Sequence, residues 1–376
     1  MLSYIGYAFI FVCVSVGPRV RVCVYKSEDT KEEDILYLFD KSGSGDVHYM
    51  TLNNDIDQIA YKPLNTVRWE QTSNVVNFEI AVVNNMLYII GGYQKNAAIC
   101  TGRLLCYNPK DGTWSKRTPM PTPRMRFSAC VKDNVIYVVG GEKTGGCPTD
   151  CFEIYNTQTG VWKEGSRLPS PRVWISCTLL SEKSLFAAGG TLKGKGRNNF
   201  WIYECSQWQE LDNHCPQTLP KCLDRMVMAS VEDTIYFIGG VTTEKDKGKK
   251  VCMHTNPRVF AFKPHVSLGS YDSPDLICPW DLDLPSPQYP RCNATHLKLG
   301  CKIYLFGGCN FETETAVTQV ESFDTQTKTW AKEFQIDKKN ISDISCAVLS
   351  GPTDILYHKK LYKWLPAMIP RRYILW

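Results

Sequence analysis

The chain has 376 residues, with 43 Lys and Arg against 38 Asp and Glu and a formal net charge of +5. So small an imbalance excludes the basic footprint of a nucleic-acid binder. An odd count of 17 cysteines argues against a disulfide framework.

Residues 5 to 16 are mostly apolar, from Ile5 to Val16. The run is too short to cross a membrane as a helix. No Lys or Arg precedes it, and Arg19, Arg21 and Lys26 follow, which is the reverse of a signal peptide. Residues 1–33 are therefore expected to be an irregular segment, read as a non-native or spliced start on a piece of a longer chain. The alternative is a signal peptide with Gly17 near its cleavage point. Asp34-Ile-Leu-Tyr-Leu-Phe39 then reads as a strand, Asp40-Lys41 follows it, and Trp69 ends this first unit. No apolar strand of the usual kind precedes it.

From residue 80 onward one pattern recurs. An apolar strand (Ile80 to Val83, Ser128 to Val131, Ser176 to Leu179, Ala229 to Val231, Thr295 to Leu297) meets a short turn. A β-branched and aromatic strand follows and ends in a diglycine: Gly91-Gly92, Gly140-Gly141, Gly189-Gly190, Gly239-Gly240 and Gly307-Gly308. Successive diglycines lie 49, 49, 50 and 68 residues apart. A third strand carries Tyr107, Tyr155, Tyr203, Phe262 or Phe323, and a fourth carries Trp114, Trp162, Trp208, Trp280 or Trp330. Strands at this spacing, punctuated by Asn, Asp and Gly, predict four-stranded antiparallel meanders. A period near fifty predicts a repeat architecture. Cys130, Cys177 and Cys346 share one repeat position and read as small buried hydrophobes.

The fifth unit is longer than the others. Residues 241–279 contain Glu244-Lys-Asp-Lys-Gly-Lys-Lys250 and Val266-Ser-Leu-Gly-Ser-Tyr-Asp-Ser-Pro274, both polar and Gly- or Pro-punctuated, and are expected to be a loop. Ser345-Cys-Ala-Val-Leu349 resembles the strand missing from the first unit. Residues 344–350 are therefore expected to close the structure by pairing with the strand that begins at Asp34. Residues 351–376 form a hydrophobic tail with no repeat pattern.

Little in this pattern points to chemistry. Gly189, Gly194 and Lys195 approach a phosphate-binding loop, but Gly196 stands where Ser or Thr would hold magnesium. Cys147 with Cys151, His214-Cys215 with Cys222, and Cys252 with His254 are incomplete zinc sets. No metal or cofactor is expected. Two sequons occur, at Asn293 and Asn340.

Diglycine, spaced tyrosine and spaced tryptophan together resemble the kelch repeat, over about residues 34–350. The resemblance implies an all-β, six-bladed β-propeller of four-stranded antiparallel blades, closed by a C-terminal strand. The units look most like those of BTB-kelch proteins, without the BTB and BACK parts. That implies a non-enzymatic protein-interaction module, the substrate-recognition half of a cullin-3 ubiquitin ligase adaptor. Its partner would be a ubiquitination substrate or a cytoskeletal protein, with cullin-3 recruited only if a BTB domain exists in a full-length parent. No nucleic acid or membrane span is expected, and the location would be cytoplasmic. The alternative is a secreted or lumenal kelch protein in adhesion or glycan binding, which the hydrophobic start and the sequons favour and the strand cysteines oppose.

Each of the third to sixth units is approached by a proline and then an arginine: Arg124, Arg172, Arg225 and Arg291. A role shared by every repeat reads as scaffold. The residues just beyond them vary, as do those after each diglycine. In a kelch propeller these two loop sets meet on one face around a central channel. The expected partner-binding rim is Tyr93, Gln94, Arg126, Glu142, Trp174, Thr191, Met226, Thr242, Asn293 and Asn310. Tyr93, Arg126 and Trp174 are the expected anchors.

Overall fold

Local turn chemistry sets up each unit. Asn84 and Asn85 both take positive φ, 49° and 60°, which is the two-residue turn whose twist matches an antiparallel hairpin. The hairpin it closes joins Glu79–Val83 to Met86–Ile90. In a computed structural model of the chain, residues 9–16, 19–26, 32–52, 59, 64–180, 184–210, 218–245, 251–264, 279–337 and 341–352 are described. All regular structure among them is β.

Among the described residues the main body is made of six four-stranded antiparallel sheets. Sheet 1 runs Ile344–Pro352, Glu32–Asp40, Asp46–Thr51, Asn65–Arg68. Sheet 2 runs Glu79–Val83, Met86–Ile90, Leu104–Asn108, Thr113–Arg117. Sheet 3 runs Ser128–Lys132, Val135–Val139, Phe152–Asn156, Val161–Glu164. Sheet 4 runs Ser176–Leu180, Ser184–Ala188, Phe200–Glu204, Gln207–Glu210. Sheet 5 runs Val227–Val231, Thr234–Ile238, Val259–Phe262, Trp280–Leu284. Sheet 6 runs Thr295–Leu299, Lys302–Phe306, Gln319–Asp324, Thr329–Gln335. The first-named strand of each sheet packs beside that of the next, and sheet 6 packs back through sheet 1 to sheet 2. Closure is as the sequence implies: Glu32–Asp40 pairs along its whole length with Ile344–Pro352, from Glu32 opposite Pro352 to Asp40 opposite Ile344.

The cores lie between sheets. Successive side chains of a strand point to opposite faces, so Leu87 and Ile89 enter the core shared with sheet 1 while Tyr88 and Ile90 enter the one shared with sheet 3. Leu36 and Leu38 close the circuit by packing against Tyr304 and Phe306 of sheet 6. Burial on both faces explains why the second strands read as unbroken apolar runs. The repeated aromatic and tryptophan sit directly opposite each other on the two outer strands, as in Tyr107 with Trp114 and Tyr155 with Trp162, each pair 4.9 Å between ring centroids. Trp69 of sheet 1 is 2% exposed and reaches across to Tyr107 and Trp114. Trp208 and Trp280 are buried as well, whereas Trp114, Trp162 and Trp330 are half-buried.

The diglycines bring neighbouring sheets together. Gly91 and Gly92 have φ of 57° and 99°, and a Cβ on Gly91 would stand 2.8 Å from the Phe127 ring and 2.9 Å from the Arg124 carbonyl. The positive φ and the close approach both exclude a larger side chain.

Two segments differ from the sequence reading. Within residues 1–33, expected to be irregular, Phe9–Val16 pairs with Arg19–Lys26 as a separate antiparallel hairpin. Within the long fifth unit, Val241–Lys245 and Val251–Thr255 pair as strands, and Leu223–Asp224 adds a third. Alternating polar and β-branched residues in Val241-Thr-Thr and Val251-Cys-Met-His-Thr255 favour that ladder over a loop. Residues 265–278 of that unit and the tail beyond 352 lie outside the described residues.

Candidate functional site

In sheets 2 to 6 the segment approaching the inner strand pairs with the segment after that same unit's diglycine. Val75–Val76 pairs with Tyr93–Gln94. Met125 bridges to Glu142, Val173 to Thr191, and Cys292 to Cys309, and Leu223–Asp224 pairs with Val241–Thr242. The two varied loop sets therefore do meet, strand against strand.

Just past each pairing, one residue per sheet takes a left-handed conformation: Asn77 (φ 52°), Arg126 (55°), Trp174 (58°), Arg225 (54°) and Asn293 (54°). For side chains other than Gly this region costs roughly 1–2 kcal/mol per residue. The conformation lets each residue bond its neighbour's backbone. Arg126 donates its N–H to the Asn77 carbonyl at 3.5 Å, Trp174 to Arg126 at 2.9 Å, Arg225 to Trp174 at 3.4 Å and Asn293 to Arg225 at 3.1 Å. Five successive rim positions are thus threaded on main-chain bonds. Strain of this kind collects at functional sites because the surrounding structure must hold it.

The side chains on this thread form a cationic and aromatic cluster. The guanidinium groups of Arg126 and Arg225 both stack on the Trp174 ring, 5.1 and 5.0 Å from its centroid, and Arg225 also lies 5.5 Å from the centre of Phe311. Arg126 donates to Glu142 at 2.9 Å and remains 34% exposed. Arg225 lies 3.4 Å from the Asp224 carboxylate, which is fully buried and has no hydrogen-bond partner on either oxygen. Burial pushes that carboxyl up to about 6, against the pull of Arg225.

Below the cluster lies a cavity of about 260 Å³ lined by the inner strands, including Lys41, Glu79, Trp174, Arg225, Asn293, His296 and Asp343. Lys41 bridges Glu79 at 3.0 Å and Asp343 at 3.6 Å. Burial acts to lower the Lys41 ammonium, but the two carboxylates outweigh it and hold it above its usual range. Burial raises Glu79, with Lys41 opposing. His296 is pushed down to about 4 by burial and is neutral at pH 7.

The expected rim residues divide. Arg126, Trp174 and Asn293 occupy the left-handed positions. Tyr93 is half-buried in its ladder and Gln94 is exposed. Asn310 caps its own turn by accepting from the Glu312 and Thr313 N–H groups. Glu142, Thr191 and Thr242 are buried, at 8%, 9% and 4% exposure, and present little surface. Met226 is buried in the core between sheets 4 and 5; it matches Phe127 and Ile175, one residue beyond the rim. The rim residue of that repeat is Arg225.

The arginines divide in the same way. Arg124, Arg172 and Arg291 are scaffold, 0%, 2% and 2% exposed. Arg124 pairs with Glu153 at 2.5 Å and donates to the Thr122 and Val138 carbonyls. Arg172 donates to Asn199 at 2.6 Å and stacks on Trp201. Arg291 pairs with Glu321 and donates to the Gly307 and Gln319 carbonyls. Arg225 was grouped with them on sequence spacing, and its place corrects that grouping. The carbonyl that receives the N–H of the preceding diglycine's second glycine comes from Arg124, Arg172 and Arg291 elsewhere (donors Gly92, Gly141 and Gly240), but from Leu223 in this repeat (donor Gly190). Leu223 is therefore the scaffold position, and Arg225, Asn77 and Phe311 join the rim. Counting back from the inner strand would have found Arg225; counting forward from the proline did not.

The phosphate-loop resemblance resolves into a tight hairpin, with Thr191–Leu192 paired to Lys195–Gly196 around Lys193 and Gly194. Among the described residues no group of three or more His, Cys, Asp or Glu side chains is placed to hold a metal ion. No helix among them is long and apolar enough to cross a membrane.

Comparison with known proteins agrees with this architecture. The family model described as the KLHDC2/KLHL20/DRC7 Kelch-repeats domain matches residues 77–264, and the Kelch motif matches 290–333. Kelch-like protein 26 of Danio rerio is 23% identical over 285 residues, covering 73% of this chain and 42% of that protein. Kelch-like protein 40 of Xenopus tropicalis is 27% identical over 186 residues, covering 48% of this chain and 29% of that protein. The chain thus spans less than half the length of these relatives. Among solved structures, that of YjhT superposes with a TM-score of 0.63 at 13% identity, over 81% of this chain and 95% of that one, a likeness of fold.

Proposed function

Because this chain belongs to the kelch-repeat family, we propose that it is a non-enzymatic, six-bladed propeller that captures a protein partner at its channel mouth, with Arg126, Trp174 and Arg225 as anchors. The observation that carries this reading is the stack of two guanidinium groups on the Trp174 ring. Trp and Arg dominate interface energies when they are held in place before binding, and the left-handed backbone holds these. Guanidinium donors beside an indole suit a partner segment that offers carboxylates or an aromatic ring.

Six sheets in cyclic contact, with a core between each pair of neighbours, support the blade count. A cytoplasmic location is supported by the strand cysteines. Cys177 is buried, with Cys130 packed beside it in the core between sheets 3 and 4, as small apolar groups would be. Asn293 heads a sequon on the rim itself, where a glycan would stand over the mouth. The relatedness to Kelch-like proteins supports a role in selecting substrates for ubiquitin transfer, with cullin-3 recruited only through a BTB domain in a longer parent protein.

The test is cross-linked affinity capture from cytosolic extract. The wild type is compared with the Arg126→Ala/Trp174→Ala double variant, beside thermal melts of both. The double variant is expected to lose the cross-linked partner while melting like the wild type. A double variant that keeps its partners, while a shortened 241–279 segment loses them, would move the site to the long fifth unit.

A further inference from the structure

Beside sheet 6 the rim carries a second chemical feature. Cys292 and Cys309 stand directly opposite each other and exchange both backbone hydrogen bonds, each 2.9 Å. Their sulfurs are 3.7 Å apart and both are free thiols. Residues paired this way in an antiparallel ladder have Cα atoms about 5.5 Å apart. That lies inside the span of roughly 4.4–6.8 Å that a disulfide bridges. The sulfurs can therefore close to a bonded distance by side-chain rotation alone.

We propose that Cys292 and Cys309 are a reversible redox modification site, in which a hydroperoxide oxidises Cys309 and Cys292 completes a disulfide across the rim ladder. The two thiols are unequal in access. Cys292 is 1% exposed, whereas Cys309 is half-buried and open to a small oxidant. They are also unequal in acidity. The hydrogen bond from Cys292, helped by Arg225, holds the Cys309 thiol below its ordinary value against burial and the Asp343 and Glu314 carboxylates. The thiolate is the attacking species, so Cys309 reacts first. Its sulfur attacks the distal, hydroxyl oxygen of the hydroperoxide and the O–O bond breaks, giving the sulfenic acid while the alkoxide leaves with the Cys309 proton as an alcohol, or as water from hydrogen peroxide. The Cys292 sulfur then attacks the sulfenic sulfur, and the hydroxyl leaves with the Cys292 proton as water. In sum, two thiols and one hydroperoxide give one disulfide, one alcohol and one water. A dithiol reductant reverses the step and leaves as its own disulfide. The bond would join the segment carrying Asn293 to the segment carrying Asn310 and so lock one sector of the rim. This inference is independent of the identity of any partner.

The test uses the whole reduced chain treated with hydrogen peroxide, alkylated and digested with trypsin without reduction. Mass spectrometry is expected to find peptide 292–298 joined to peptide 303–328, a species lost on adding dithiothreitol. Cys292→Ala is expected to leave a sulfenic acid on Cys309 that dimedone traps, whereas Cys309→Ala leaves none on Cys292. Cys147 and Cys205 are exposed thiols and report bystander oxidation. The proposal is overturned if folded wild type gives no joined peptide. It is equally overturned if Cys292 and Cys309 link to Cys147 or Cys205 as readily as to each other, or if sulfenic acid accumulates on Cys309 while Cys292 stays reduced.

Discussion

Replacing Asp224 by Asn is expected to stabilise the protein at neutral pH and to expose an opposing group. In the unfolded chain Asp224 loses its proton near 3.8, but in the folded chain only near 6. Between those values the folded state binds more protons, so stability falls as pH rises through the window. At 1.36 kcal/mol per pKa unit the penalty at pH 7 is about 3 kcal/mol. The side chain is fully buried, so solvent does not screen it. His296 works in the other direction. It titrates at 6.5 when unfolded and near 4 when folded, so stability falls as pH drops through that window. Its full value would be about 3 kcal/mol, reduced to about 2 kcal/mol because the ring lines a cavity of about 260 Å³ with room for water. The two trends oppose each other between about pH 4 and 6, and the wild type should be nearly flat there. Asp224→Asn should gain about 2–3 kcal/mol at pH 7 and then lose stability on acidification, whereas His296→Gln should become more stable as pH falls from 6 to 4. Urea denaturation at pH 4, 5, 6 and 7 measures both. An Asp224→Asn variant no more stable than wild type at pH 7, or one whose pH profile parallels it, would refute the reasoning.

Two stability contrasts follow from burial. Arg291→Ala leaves the Glu321 carboxylate, 1% exposed, without its guanidinium, and should cost about 3–5 kcal/mol in denaturant melts; a loss below about 1 kcal/mol would mean that water replaces the arginine. Trp69→Ala removes a ring buried between sheets 1 and 2 and should cost about 3–5 kcal/mol. Trp162→Ala should cost less, about 2 kcal/mol, because that ring is half-buried and loses mainly its packing on Tyr155 and its bond to the Thr118 carbonyl. Equal losses at the two sites would contradict the burial argument.

The second strands were legible because they are apolar on both faces and bounded by residues that turn, as in Asn84-Asn85 and the diglycines. The closing strand was legible because the first unit lacked one and Ser345-Cys-Ala-Val-Leu349 had no other mate. The rim was only half legible. Arg126 and Trp174 were found because they follow a scaffold arginine at a fixed step, and Arg225 was misplaced because Leu223 holds that scaffold position. The Lys41–Glu79–Asp343 cluster draws on sheets 1 and 2, whose residues lie far apart in sequence, and no motif marks it. Nor does any motif show Cys292 facing Cys309, because the pairing depends on how the chain turns at Gly307-Gly308.

The main-chain thread through Asn77, Arg126, Trp174, Arg225 and Asn293 divides inheritance between two parts of each residue. The backbone carries the hoop and the side chain carries the address. The five carry three chemistries, two amides, two guanidiniums and one indole filling equivalent positions, yet the bonds between them are the same. Such a face can be rewritten one residue at a time without renegotiating the architecture beneath it. Proline alone would be forbidden, since its ring fixes a negative φ and removes the N–H that each link requires. A panel exchanging these five side chains would therefore be a way to give the same ring a new partner.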